Sequence, residues 1–146
     1  MQDLSLHILD VVENSIRAHA TRVIVRLTED RADDLLILEI GDDGDGMDEA
    51  TRRQCLDPFF TTKEGKSVGL GLSLLAQSAE EAGGKLVVET ARGKGTRVIA
   101  TYRLSHIDRR PLGDLDRTIR CLKETHPEIN LFYEFQCANF QRSDEG

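Results

Sequence analysis

The chain has 146 residues, of which 19 are Lys or Arg and 26 are Asp or Glu, for a net charge of −7. That length accommodates one domain with one sizeable core, and 39% hydrophobic with 31% charged residues excludes wholesale disorder. The acidic balance argues against a general nucleic-acid grip, no apolar run approaches the roughly 20 residues that span a bilayer, and no signal peptide is visible at the start. The expectation is a cytoplasmic protein with no nucleic-acid or membrane partner. Its cysteines, Cys55, Cys121 and Cys137, are odd in number, form no CxxC, and are expected to stay reduced.

Leu4, Ile8, Val11, Val12 and Ile16 recur at helical spacing and predict an amphipathic helix over residues 4–18. Asp10, Asn14 and Arg17 fall at i, i+4 and i+7, so they share a second, polar face of it. Residues 21–28 alternate Val23, Val25 and Leu27, and residues 34–40 form a short apolar run. Together they predict two neighbouring antiparallel strands joined by the polar turn 29–33. The glycine-rich loop Gly41-Asp-Asp-Gly-Asp-Gly46 follows, then a short helix from Asp48 to about Cys55 that Pro58 stops.

Gly69-Leu-Gly-Leu-Ser-Leu-Leu75 opens a helix that runs to a C-cap at Gly83-Gly84. Residues 85–90 and 96–104 read as a hairpin across Arg92-Gly-Lys-Gly95. Beyond Ser105, a helix over 114–125 ends before Pro127, a strand spans 129–135, and residues 142–146 read as disordered. The order predicts an α/β two-layer sandwich: a mixed, mostly antiparallel sheet with helices on one face. Residues 1–104 are expected to form the domain and 105–146 an extension. Its aromatic-rich strand is expected to pair, either at the sheet edge or with a partner.

Four short elements fall in a fixed order: Asp10-Val-Val-Glu-Asn14-Ser-Ile-Arg17-Ala, Asp42-Asp-Gly44-Asp-Gly46-Met47, Pro58-Phe-Phe-Thr-Thr-Lys63, and Gly69-Leu-Gly71-Leu-Ser-Leu, with Gly95-Thr96 further on. Each alone is a weak signal. Together, across residues 4–104, they resemble the N, G1, F and G2 boxes of the GHKL ATPase superfamily, which includes gyrase, a heat-shock chaperone class, histidine kinases and mismatch-repair ATPases.

The resemblance implies ATP and Mg2+ as cofactors and assigns roles residue by residue. Asn14 matches the Mg2+ ligand, a hard oxygen donor, and Arg17 one turn on can reach a phosphate. Asp42, at the end of an apolar strand, matches the acceptor for the adenine amino group. Gly44 and Gly46 let the backbone pass close to the base, and Met47 and Thr96 join the nucleotide contacts. Residues 59–68 match a short lid carrying Phe60, Thr62 and Lys63, with Lys66 adding charge. Gly69, Leu70, Gly71 and Leu72 open a helix whose N–H groups suit polyphosphate. Asp43 stands where Asn is more usual, at a variable site.

Competing readings are weaker. The acids at 42, 43 and 45 look calcium-like, but the twelfth position of such a loop is Arg53, not Glu. Gly65-Lys66-Ser67 suggests a phosphate loop, whose first glycine falls instead on Phe60. The N box is worded like mismatch-repair ATPases, and the F and G2 boxes like kinases. Asp10 occupies the general-base position, usually Glu, and suits proton removal from a hydroxyl. His106-Ile-Asp-Arg-Arg-Pro111 echoes a phosphoacceptor string but follows the ATPase elements instead of preceding them. His7, His19 and His126 have less context still, and Cys55 reads as a packed thiol beside the site.

The expected function is a Mg-ATP-binding signalling protein, a kinase of histidine-kinase-like or anti-sigma type acting on a separate protein. The alternatives are a non-catalytic nucleotide-dependent regulator and a slow ATPase of mismatch-repair type, which would need a transducer domain the chain has no room for. A homodimer is compatible with each.

Overall fold

The computed structural model describes residues 4–57, 70–106 and 115–137. The elements run α1 (Leu4–Arg17), β1 (Arg22–Asp30), β2 (Leu35–Asp42), α2 (Glu49–Leu56), α3 (Leu70–Glu81), β3 (Lys85–Thr90), β4 (Thr96–Arg103), a 3-10 turn (Leu104–His106), α4 (Leu115–Thr125) and β5 (Asn130–Cys137). The strands form one sheet in the order β3-β4-β2-β1-β5. Every neighbouring pair is antiparallel except β1–β5, which is parallel. This is the expected two-layer sandwich.

The period-2 alternation of the strands sends one face inward. Val25 and Leu27 of β1, Leu36 and Leu38 of β2, and Ala100 and Tyr102 of β4 are all fully buried. They meet Ile8 and Val12 of α1, Leu75 and Ala79 of α3, and Leu115 and Ile119 of α4. The segment beyond residue 105 therefore shares this core: α4 packs on α1 and β5 extends the sheet from β1. The aromatic-rich strand pairs within the chain. Among the described residues, no helix is long and apolar enough to cross a membrane.

Two helix ends place the site. α1 closes with His19 in the left-handed region (φ 67°), and the Ala20 N–H reaches back to the Ser15 carbonyl at 3.1 Å. α3 closes at the predicted glycines: Gly83 has φ 79° and the Gly84 N–H bonds the Ala79 carbonyl at 2.7 Å. α2 begins after Asp48, whose side chain accepts the Thr51 N–H at 2.8 Å as an N-cap.

The other face of the sheet carries a ladder of alternating charge, one residue from each strand. Glu134 of β5 meets Arg26 of β1 at 3.0 Å, and Arg26 meets Glu39 of β2 at 3.4 Å. Arg97 of β4 bonds both Glu39 and Glu89 of β3, the latter at 3.0 Å.

Candidate functional site

Between the end of the sheet and the helices lies a cavity of about 450 Å³. α1 contributes Val11, Asn14, Ser15 and Arg17 to it; β2 contributes Ile40 and Asp42; Thr96 and Val98 come from β4. Gly46, Met47, Cys55 and Leu72 complete the lining. The cavity thus has an apolar slot, one carboxylate, and an amide and a guanidinium on the α1 side.

Asp42 is the only acid of the glycine-rich loop lining this cavity. Register sets it directly between Val23 and Thr96. Its Oδ2 accepts the Ser15 hydroxyl at 2.6 Å and its Oδ1 accepts the Gly44 N–H at 2.9 Å. An ionised carboxylate has about four lone-pair sites, so capacity remains for a further donor such as an exocyclic amine.

The neighbouring acids serve the scaffold. Asp43 accepts the N–H groups of Thr21 (2.8 Å) and Arg22 (3.0 Å) and the Thr21 hydroxyl (2.7 Å). The Arg22 N–H and then the Thr21 hydroxyl hold its carboxyl at about 2, below the usual carboxylate range. Asp45 pairs with His19 Nδ1 at 2.8 Å, and its N–H donates to the Ala18 carbonyl at 2.8 Å. The three carboxylates therefore serve different partners, and no acidic metal cluster exists among the described residues.

Two glycines make this docking feasible. A Cβ on Gly44 would lie 2.7 Å from the Ala18 carbonyl oxygen, so Gly44 lets the loop lie against the end of α1. Gly46 has φ 72°, and a Cβ there would strike the Ala91 carbonyl.

Asn14 and Arg17 stand together on α1: Asn14 Oδ1 accepts from Arg17 Nη1 at 2.8 Å. The Asn14 side-chain oxygen is thus engaged by a cation on the α1 side of the cavity. Leu72 is buried. Thr96 Oγ1 lies 2.9 Å from Thr90 Oγ1, and Thr90 accepts the Met47 N–H at 2.9 Å. Leu70 and Gly71 fall in the first turn of α3. Phe60, Thr62, Lys63 and Gly69, with the rest of the predicted lid, lie outside the described residues. Asp10 is exposed on α1, one turn before Asn14, and does not line the cavity. His106 closes the 3-10 turn after β4.

Sequence reasoning passed over Ser15 and Thr90. Ser15 carried a signal: it sits four residues after Val11 and one after Asn14, on the side of α1 that joins its apolar and polar faces. Cys55 does border the cavity, with its Sγ 3.6 Å from Met47 Sδ, and burial pushes its thiol pKa up.

Comparison with known proteins gives the family and agrees with the fold. The model of the histidine kinase-, DNA gyrase B- and HSP90-like ATPase family matches residues 2–106. The chain belongs to that family. It is 34% identical over 110 residues to a protein of Shewanella frigidimarina that carries the name of a sensor protein, covering 73% of this chain and 17% of that one. It is 30% identical over 88 residues to sporulation kinase C of Bacillus subtilis, covering 60% of this chain and 20% of that one. The chain therefore spans a fifth or less of the length of these curated relatives. The Aquifex aeolicus MutL ATPase domain complexed with ADP superposes with a TM-score of 0.57 at 15% identity, covering 88% of this chain and 57% of that one. At that identity the match shows the shared fold alone.

Proposed function

We propose that the cavity binds Mg-ATP and that the chain acts as a signalling kinase module, passing the terminal phosphate to a separate protein. One observation carries this reading: Asp42 sits in an apolar slot with Asn14 and Arg17 along the same cavity. The slot suits a flat base, with Val11, Ile40, Met47 and Val98 as its walls and Asp42 as acceptor for its amino group. Asn14 fits Mg2+, which takes few protein ligands and completes its shell with phosphate oxygens and water. Bound there, the ion would offset the charge of the triphosphate. Arg17 would move from Asn14 to a phosphate. By the family resemblance, Lys63, Gly69 and Gly71 would meet the phosphates. Asp10 would take the proton of the accepting hydroxyl.

Asp10 also supports a second reading. It is exposed and lies outside the cavity lining, which favours a module that binds nucleotide and a partner without catalysis. Calorimetry with ATP should show Mg-dependent binding that Asp42→Asn abolishes; no binding to the wild-type chain sinks both readings. Radiolabelled ATP should then label a partner protein, and Asp10→Asn should remove the label. Binding with neither label nor phosphate release favours the regulatory module.

A further inference from the structure

A second cavity, of about 660 Å³, lies partly on the open face of the sheet, back to back with the nucleotide cavity. Asp42 and Thr96, directly paired between β2 and β4, border both. The cavity exists because its floor is bare backbone. Gly41, on the central strand β2, has nothing within 4 Å of where a Cβ would stand, and Gly95 and Ala91 keep the β3–β4 turn low beside it. Ile24, 37% exposed, forms an apolar wall on β1, and Arg26, Glu39 and Arg97 of the charge ladder border the rest.

The charges around this cavity are unevenly used. Glu39 is engaged by both Arg26 and Arg97, and Glu89 by Arg97. Asp43 is turned to the Thr21 and Arg22 N–H groups, and the Asp42 carboxylate to Ser15 and Gly44. The remaining cations are Arg22 on β1 and Lys94 on the β3–β4 turn, with β2 and its glycine floor between their strands. Neither has a carboxylate partner among the described residues.

We infer that this cavity is a second ligand site, for a small organic anion with a flat apolar body. Arg22 and Lys94 take the anionic group, and the body lies over Gly41 against Ile24. Arg26 and Arg97 offset Glu39 and Glu89, and neutral donors orient Asp42 and Asp43, so Arg22 and Lys94 are the cations an incoming anion can engage. A neutral apolar ligand would leave both unused.

Anilinonaphthalene sulfonate, which joins a sulfonate to flat apolar rings, is a direct probe for the full chain. Its fluorescence should rise saturably, and saturating Mg-ATP should not displace it. Arg22→Gln and Lys94→Gln should each weaken binding about tenfold, the worth of a charge-assisted hydrogen bond. Gly41→Val should abolish it, because a β-branched side chain suits the strand and fills the open floor. Circular dichroism checks the fold of each variant, and the two exposed cations keep the test decisive if Gly41→Val does not fold. Displacement by ATP, or equal binding by wild type and the Arg22 and Lys94 variants, overturns the proposal, as does no binding at all. None of these readouts requires that the chain transfer phosphate.

Discussion

Ser15 on α1 donates its hydroxyl to Asp42 at the end of β2, across 2.6 Å and 27 residues of chain. That bond fixes the orientation of the carboxylate before any base arrives. The Ser15→Ala variant should keep its fold and lose about five- to tenfold in ATP affinity, the worth of one ordinary hydrogen bond. Calorimetric titration of both proteins checks it; unchanged affinity would mean that Gly44 alone orients Asp42.

Gly46 and Gly93 share a left-handed backbone, φ 72° and 79°, but differ in surroundings. A Cβ on Gly46 strikes Ala91, while one on Gly93 meets nothing within 4 Å. Gly93→Ala should carry only the conformational cost, about 1 kcal/mol. Gly46→Ala should cost clearly more, lower the melting temperature further, and weaken nucleotide binding as the loop shifts. Thermal melts of the two variants side by side test the difference.

Burial raises the pKa of the Cys55 thiol, so little thiolate exists at neutral pH. Iodoacetamide should therefore modify exposed Cys121 first and reach Cys55 slowly, faster as pH rises. Because Cys55 borders the nucleotide cavity, Mg-ATP should slow its modification further. Mass spectrometry of timed samples resolves the cysteines; protection of Cys121 instead would contradict the placement.

Asp43 has its carboxyl held at about 2, against an ordinary value of 3.8. A depressed carboxylate stabilises the fold above its unfolded pKa, and loses that contribution as pH falls through the folded one. Wild type should therefore melt higher than Asp43→Asn above about pH 4, and the gap should close as pH approaches about 2. The contribution is small, because this loop is exposed and solvent screens it. A gap that widens on acidification would reverse the assignment.

The helix α4 buries Ile119 to 4% exposure against the common core. Ile119→Ala should cost about 2–4 kcal/mol. Urea unfolding should remain a single transition, with tyrosine fluorescence in a Tyr102→Phe background, which isolates Tyr133 on β5, coincident with the far-ultraviolet signal. Two separated transitions would mean that the last segment folds apart from the sheet.

Much of this architecture is legible in the sequence because its signals are local. The alternation of Val23, Val25 and Leu27, the helical spacing of Ile8, Val11 and Val12, and the cap glycines at 83 and 84 each act within a few residues. The strand near residue 130 is legible for the same reason, but its partner is not. β5 pairs in parallel with β1, and Glu134 meets Arg26 from 108 residues away. The site divides likewise. Asp42, Gly46 and Asn14 stand out through motif spacing, whereas Thr90 acts on Met47 from 43 residues away, through a register that no local pattern encodes.

The ladder Glu134–Arg26–Glu39–Arg97–Glu89 is mostly exposed, so each of its pairs adds little stability, about 0–1 kcal/mol. Its consequence lies in the errors it penalises. A strand slipped by one residue is rejected because its apolar side chains turn to water. A slip of two keeps them inside, and hydrophobic alternation tolerates it. Shifted by two, β5 would set Phe132 or Gln136 against Arg26 and leave Glu134 opposite Ile24 or Thr28. The charges thus proofread the misthreadings that burial overlooks, and they do so for the strand that joins the sheet from farthest along the chain.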